Sequence, residues 1–225
     1  MTSYLVTCEH ASNKVPKEYA RPFSSGEAKK LLTTHAGYDI GAAHVATCLA
    51  PQLNAPLFLG GMSRLLIDLN RSLHHPRVFS TRSASLSAKL REQLVVSYEE
   101  YRAEVLDALE QRKPCVFHLS IHSFTPIWKG VPRSTDIGLL YDPKREGETA
   151  WAKRVQRRLR EQSGLTIHRN APYRGYADGF TTALRAKFSQ RRYLGVEIEV
   201  NQKLIATKAD QERMARLLLS SFDPL

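Results

Sequence analysis

Between Tyr193 and Asn201 the chain carries two alternating sets of residues at once. On an extended strand Leu194, Val196, Ile198 and Val200 share one face, while Gly195, Glu197, Glu199 and Asn201 share the other. The first face is built for a packed core. The second sets two carboxylates about 6.5–7 Å apart. Inside a sheet that pairing is costly unless an arginine or a metal-activated water answers it. An exposed strand face would ask for no such partner. The apolar face opposite, and the strand's place late in a mixed chain, argue for burial.

The rest of the sequence alternates short apolar runs with helical periodicity, the pattern of an α/β protein. Strands are expected at 4–8, 56–60, 64–69, 115–121, 137–141, 165–168 and 193–200. Residues 9–38 read as turn-rich, punctuated by Asn13, Pro16, Pro22 and Gly26. Asp39 opens a helix that Pro51 stops. Ser85 or Ser87 caps a long helix to about Arg112, with Leu90, Leu94, Tyr98, Tyr101 and Val105 inward. Further helices are expected at 149–162, 179–187 and 208–220. No repeat or linker divides the 225 residues, so one domain over 1–225 is expected.

Three widely spaced cysteines, Cys8, Cys48 and Cys115, make no disulfide framework and suit a reducing cytoplasm. No apolar run approaches the ~20 residues of a membrane span. The first ten residues have neither a basic start nor a long apolar run, so they do not read as a secretory signal. A cytoplasmic location is the expectation. The net charge of +11 calls for an anionic partner, either nucleic acid or a small substrate. The densest basic run, 153–160, spaces Val155 and Leu159 as an amphipathic helix with a solvated basic face. With no zinc finger, helix-turn-helix or aromatic platform, nucleic acid is not expected.

Open α/β sheets bind ligands at the carboxyl ends of their strands. His10 follows the first strand, His122 ends the strand from Cys115, and Glu199 lies near the end of the last. Two histidines and a glutamate are the inventory of a hydrolytic zinc site and its base. Arg64 and Arg71 flank an apolar run. Arg71 beside Asn70 suits a forked grip on a carboxylate, and Arg64 suits an oxyanion; either arginine could instead pair with Asp68. The turn-rich stretch 170–179 reads as a loop over the substrate, with Tyr173 or Arg174 touching it, or as a surface loop with its tyrosine packed inward. His118 shares a strand face with His122, as a second-layer partner or a buried, hydrogen-bonded histidine. Cys8 and His10 could form a thiol–imidazole pair, though Cys8 reads more simply as core.

Several motifs occur in order: Cys8–Pro16 (CEHASNKVP), Tyr38–Ala42 (YDIGA), Asp68–Arg71 (DLNR), Ser120–Pro126 (SIHSFTP), Asp136–Asp142 (DIGLLYD), Asn170–Tyr173 (NAPY) and Gly195–Gln202 (GVEIEVNQ). Together, across residues 4–204, they resemble the N-formylglutamate amidohydrolase family. The resemblance implies a fold similar to zinc carboxypeptidases and aspartoacylases: a single-domain α/β, phosphorylase/hydrolase-like architecture with a mixed twisted sheet flanked by helices. It implies hydrolysis of N-formyl-L-glutamate to formate and L-glutamate, late in histidine breakdown, with one Zn2+ ion. Carried over, His10 and His122 are ligands. The relatives' acidic ligand lies three residues after the first histidine, where this chain has Asn13. The relatives' acidic ligand also opens the next helix, as Asp39 does here, so the resemblance implies Asp39 as the third ligand, with Glu9 the fallback. Glu199 matches the catalytic glutamate, Arg64 the carbonyl-polarising arginine, and Asn70 and Arg71 the carboxylate-binding pair. Another N-acyl amino acid or a peptide-like amide is the alternative substrate. Such ligands also accept Mn, Co or Fe.

Overall fold

The computed structural model describes residues 2–112 and 115–222; the ends of the expected 1–225 domain, residue 1 and residues 223–225, lie outside the described residues. One six-stranded sheet organises the chain. Its strands are β1 (Thr2–Cys8), β2 (Leu57–Leu59), β3 (Cys115–Phe124), β6 (Ile137–Leu140), β7 (Ile167–Arg169) and β8 (Tyr193–Asn201), in the order β2-β1-β3-β8-β6-β7. A two-stranded ribbon, β4 (Ile127–Trp128) and β5 (Val131–Pro132), stands apart. β2, β1, β3 and β8 run parallel, and β6 runs antiparallel to β8, so the sheet is mixed as expected.

Helices cover both faces. Helices α2 (Ala42–Gln52), α4 (Glu146–Ser163) and α6 (Lys208–Ser221) pack on the face that carries Val6, Cys8, Leu119, Ile121, Val196 and Ile198. Helices α1 (Gly26–Leu32), α3 (Ala88–Glu110) and α5 (Phe180–Lys187) pack on the other. Leu94, Tyr98, Tyr101, Val105 and Leu109 recur three or four apart along α3 and are all buried, the stripe that a helix turns to a core. The Ser87 side chain caps α3 by accepting from the Leu90 amide, and Thr207 with Asp210 forms a capping box on α6. In α4, Val155 and Leu159 are buried while Lys153, Arg154, Arg157 and Arg160 are exposed, as the basic run predicted.

The second sheet face changes character along its length. At the amino ends it is apolar, with Leu5, Val116 and Tyr193 in the core of α3 and α5. In the middle, fully buried His118 lies 2.7 Å from Thr7 Oγ1 and 2.8 Å from the Tyr193 hydroxyl. Gly195 makes this possible, because a Cβ there would collide with that hydroxyl. At the carboxyl ends stand Ser120, His122, Glu197 and Glu199, with His122 opposite Glu199 in register.

Several expected elements differ. Residues 64–69 form turns, not a strand. Leu66 and Ile67 are buried consecutively, which no half-buried strand allows. The Ser63 hydroxyl accepts from the Leu65 amide and donates to the Gly37 carbonyl, and this bends the chain. Residues 9–38 contain α1, capped by Ser25. The ribbon β4–β5 was not expected; Lys129 and Gly130, both at positive φ, make its turn. Helix α2 starts at Ala42 rather than Asp39, after Gly41 at φ 83°. It also runs one residue past Pro51, which sits in its final turn.

Candidate metal and active site

The late start of α2 leaves Asp39 in the turn before the helix. Its amide donates to the His10 carbonyl, and its carboxylate reaches both histidines. Asp39 Oδ2 lies 3.3 Å from His10 Nδ1 and 2.8 Å from His122 Nδ1, and it also accepts from the Ser123 amide. All three residues are buried, and one ligand-type atom from each lies within 4.8 Å of the others, a group that could hold a metal ion.

The outward nitrogens are committed elsewhere. His10 Nε2 is 2.7 Å from Asp68 Oδ1, and His122 Nε2 is 3.0 Å from Glu9 Oε2, which also accepts from Ser120 Oγ. A carboxylate behind each imidazole fixes its ring and leaves Nδ1 facing the shared point, the usual support of a metal-bound histidine. Two imidazoles and a carboxylate suit a borderline divalent ion such as zinc, so the donor set fits. Glu9 therefore stands behind His122 rather than in the ligand group. Asp68, expected only as a salt-bridge partner, stands behind His10.

The electrostatics follow from these contacts. Burial opposes ionisation of Asp39 and Glu9, but the imidazoles beside them hold both carboxyls well below the usual range. Burial likewise opposes charge on His122, and its bonds to Asp39 and Glu9 overcome it and raise its pKa. Glu199 behaves differently. Burial lifts it to about 7 against the pull of His122, with Asp39 and Glu197 adding to the rise. Its Oε2 is buried without a hydrogen-bond partner among the described residues.

The site opens into a cleft of about 550 Å³ bordered by Arg64, Arg71, Tyr173, Arg174, Glu197 and Glu199. Arg64 forms the alternative contact foreseen for it: Nη2 donates to Asp68 Oδ2 at 2.7 Å, and Nη1 lies 3.5 Å from Asp39 Oδ1. Those acids, against the cost of burial, hold its pKa above the usual arginine value. Asn70 Oδ1 accepts from the Phe180 amide, and Asn70 Nδ2 lies 3.4 Å from His122 Nε2. Arg71 donates to the Asp178 carbonyl across the cleft's loop. Glu197 accepts from Thr181 Oγ1 at 2.6 Å. Tyr173 is half-exposed, not packed inward.

The thiol reading fails, and His118 takes the second of its two readings, the buried, hydrogen-bonded histidine. Cys8 is fully buried on the opposite, apolar face, burial pushes its thiol up, and both His10 nitrogens are occupied, so no thiol–imidazole pair exists. His118 meets Thr7 and Tyr193, its bonds satisfied; burial lowers it to about 4, a neutral structural histidine.

A mixed α/β sheet that delivers a buried His–Asp–His group able to hold a metal ion, and a glutamate oxygen with no hydrogen-bond partner among the described residues, to a cleft at its strand ends has the framework of a hydrolase. A family model described as N-formylglutamate amidohydrolase matches residues 2–206, and the chain belongs to that family. Among solved structures it is similar to gene product Atu2144 from Agrobacterium tumefaciens, with 28% identity, a TM-score of 0.82, and coverage of 97% of this chain and 90% of that one. It is also similar in fold to N-formylglutamate amidohydrolase from Ralstonia eutropha JMP134, with 21% identity, a TM-score of 0.69, and coverage of 96% and 94%. No curated protein sequence matches the chain. Among the described residues, no helix is long and apolar enough to cross a membrane.

Proposed function

We propose that the protein is a metal-dependent amidohydrolase that cleaves the amide bond of a small, anionic N-acyl amino acid, with N-formyl-L-glutamate the first candidate. One observation carries this reading. Ligand-type atoms of His10, Asp39 and His122, distant in sequence, converge in a cleft that also holds a Glu199 carboxylate oxygen without a hydrogen-bond partner among the described residues.

His10 Nδ1, Asp39 Oδ2 and His122 Nδ1 would hold the ion, most simply one Zn2+. Bound there, a divalent ion supplies Lewis acidity, polarising a carbonyl and acidifying water. Glu199, whose Oε2 has no hydrogen-bond partner among the described residues, accepts the proton of the attacking water and returns it to the departing amine. Arg64 keeps its charge at the cleft wall and stabilises the oxyanion, a contribution of ~3–4 kcal/mol for such donors. Asn70 and Arg71 orient the substrate carboxylate, and Tyr173 and Arg174 border the bound substrate from the loop. The products are a carboxylic acid and a free amino acid; with the formyl substrate they are formate and L-glutamate, a reaction late in histidine breakdown in the cytoplasm.

Metal analysis of the purified protein, joined to a hydrolysis screen over N-formyl, N-acetyl and N-succinyl amino acids, tests the reading. About one ion per chain, and hydrolysis lost with chelator and restored with zinc, are expected. Hydrolysis indifferent to chelator, or a metal-loaded protein inactive on the whole panel, would overturn it.

A further inference from the structure

The cleft is wider than its chemistry requires. At about 550 Å³ it falls in the range that takes drug-sized ligands, whereas N-formylglutamate has only about a dozen non-hydrogen atoms. The extra wall is aromatic. Trp128, on the ribbon β4–β5, and Tyr173, on the loop 170–179, both border the cleft and are 48% and 45% exposed. Large half-exposed rings in a cleft are apolar surface left for a ligand. They are also fixed in place. The Arg133 guanidinium lies 5.2 Å from the Trp128 ring centre and 5.3 Å from that of Tyr173, and it donates to the Tyr173 hydroxyl. His35 meets Trp128 edge-on at 6.2 Å. Rings held by their neighbours lose little freedom when a second planar group stacks on them.

The position of this wall indicates which part of the substrate reaches it. Trp128 meets His35, and the turn that carries His35 and leads to Asp39 is tied to Arg64, whose amide donates to the Gly37 carbonyl at 3.2 Å, so the wall stands on the Asp39–Arg64 side of the site. Asn70 and Arg71 instead stand where the loop 170–179 runs into α5, Asn70 accepting from the Phe180 amide and Arg71 donating to the Asp178 carbonyl. A substrate carboxylate at Asn70 and Arg71 leaves the acyl group to extend toward Trp128.

We infer that Trp128 and Tyr173 form a subsite for a planar, aromatic acyl group, so that the protein hydrolyses N-aroyl amino acids. This rests on the amidohydrolase reading above. Water adds across the amide: the C–N bond breaks, the hydroxyl stays with the aroyl carbon as a carboxylic acid, and the proton leaves with the amino acid's amine. No other reactant is needed.

The test compares wild type, Trp128→Ala and Trp128→Phe on N-benzoyl-L-glutamate, N-formyl-L-glutamate and N-formyl-L-phenylalanine. Ligand quenching of intrinsic fluorescence is read alongside. The second tryptophan, Trp151, is buried in the core, so a ligand-dependent change reports Trp128. Expected are quenching by N-benzoyl-L-glutamate and a benzoyl-to-formyl ratio of kcat/KM that falls about tenfold in Trp128→Ala, mainly through KM. Trp128→Phe should recover most of the ratio. An unchanged ratio, no turnover of the benzoyl compound by an enzyme active on the formyl one, or a Trp128-dependent preference for N-formyl-L-phenylalanine would overturn the inference and leave the hydrolase reading standing. Quenching by N-benzoyl-L-glutamate with no substrate hydrolysed would instead keep the ring subsite and defeat the hydrolase reading.

Discussion

At the scale of single residues, the site is a set of carboxylates given different work by their neighbours. Asp39 faces two imidazoles, Asp68 and Glu9 each stand behind one, and Glu199 faces none closely enough to bond. The consequence for Glu199 is direct. As the proposed base, Glu199 must lose its proton to work, and a bound divalent cation would draw it below its metal-free value of about 7, so kcat/KM of the metal-loaded enzyme should rise with pH and level off below about 7. Glu199→Gln should retain metal but lose about 10²–10⁴-fold in kcat; near-normal turnover would remove Glu199 from the mechanism. Stability carries the same signature with its own sign. In the metal-free protein Glu199 holds its proton to about 7 when folded, against an ordinary carboxyl value near 4.5 when unfolded. Its contribution therefore weakens as pH rises from about 4.5 to about 7. Denaturant titrations of metal-free wild type and Glu199→Gln should diverge across that window, with the variant gaining relative stability as pH rises. Asp68 offers a separate check. Asp68→Ala should weaken metal affinity about 10–100-fold by freeing the His10 ring, measured by competition with a chromophoric chelator.

His10, His122 and Glu199 were legible because strand periodicity fixes which residues reach strand ends. Asp39 came from its place before a helix, within a family resemblance. The work of Asp68 was not legible. Beside Leu65, Leu66 and Ile67 it reads as part of an apolar strand, and nothing local announces an imidazole 58 positions away in sequence.

At the scale of elements, helices that read as core formers also hold the site. Arg102 on α3 lies 4.4 Å from the Tyr98 ring centre and 4.6 Å from that of Phe180, and donates to the carbonyls of Leu69 and Arg71. Tyr98 donates to the Arg71 carbonyl as well, and the Phe180 amide binds the Asn70 side chain. Helices α3 and α5 thus grip Leu69–Arg71 from both sides. Arg102→Ala should raise KM for a carboxylate substrate on the order of tenfold, with less effect on kcat and none on metal content. Lysine should not rescue it, because an ammonium cannot lie flat between two rings while bonding two carbonyls. The periodicity of α3 was readable from Leu94 to Val105; its grip on a distant turn was not, since that depends on tertiary placement. The ribbon β4–β5 escaped for a related reason. Two-residue strands carry too little alternation to register, and the positive-φ Lys129 gives no strong turn signal beside Gly130.

At the scale of the molecule, one sheet divides its labour. One face is apolar along most of its length, from Tyr4 and Phe117 to Cys8 and Ile121; the other shifts from Leu5, Val116 and Tyr193 through His118 to the polar carboxyl ends. That gradient places the cleft. It was present in the alternation of 193–201, where two glutamates sat opposite a purely apolar face. Strand order and the antiparallel β6 were not readable, because pairing partners are chosen by the whole assembly.

Diffraction from zinc-soaked crystals, collected at the zinc edge, tests the central claim most directly. One strong anomalous peak is predicted, about 2.0–2.2 Å from His10 Nδ1, His122 Nδ1 and an Asp39 carboxylate oxygen, and absent in a crystal of His122→Ala treated alike. A peak elsewhere with these three residues bare, or an undiminished peak at the site in the variant, would contradict it.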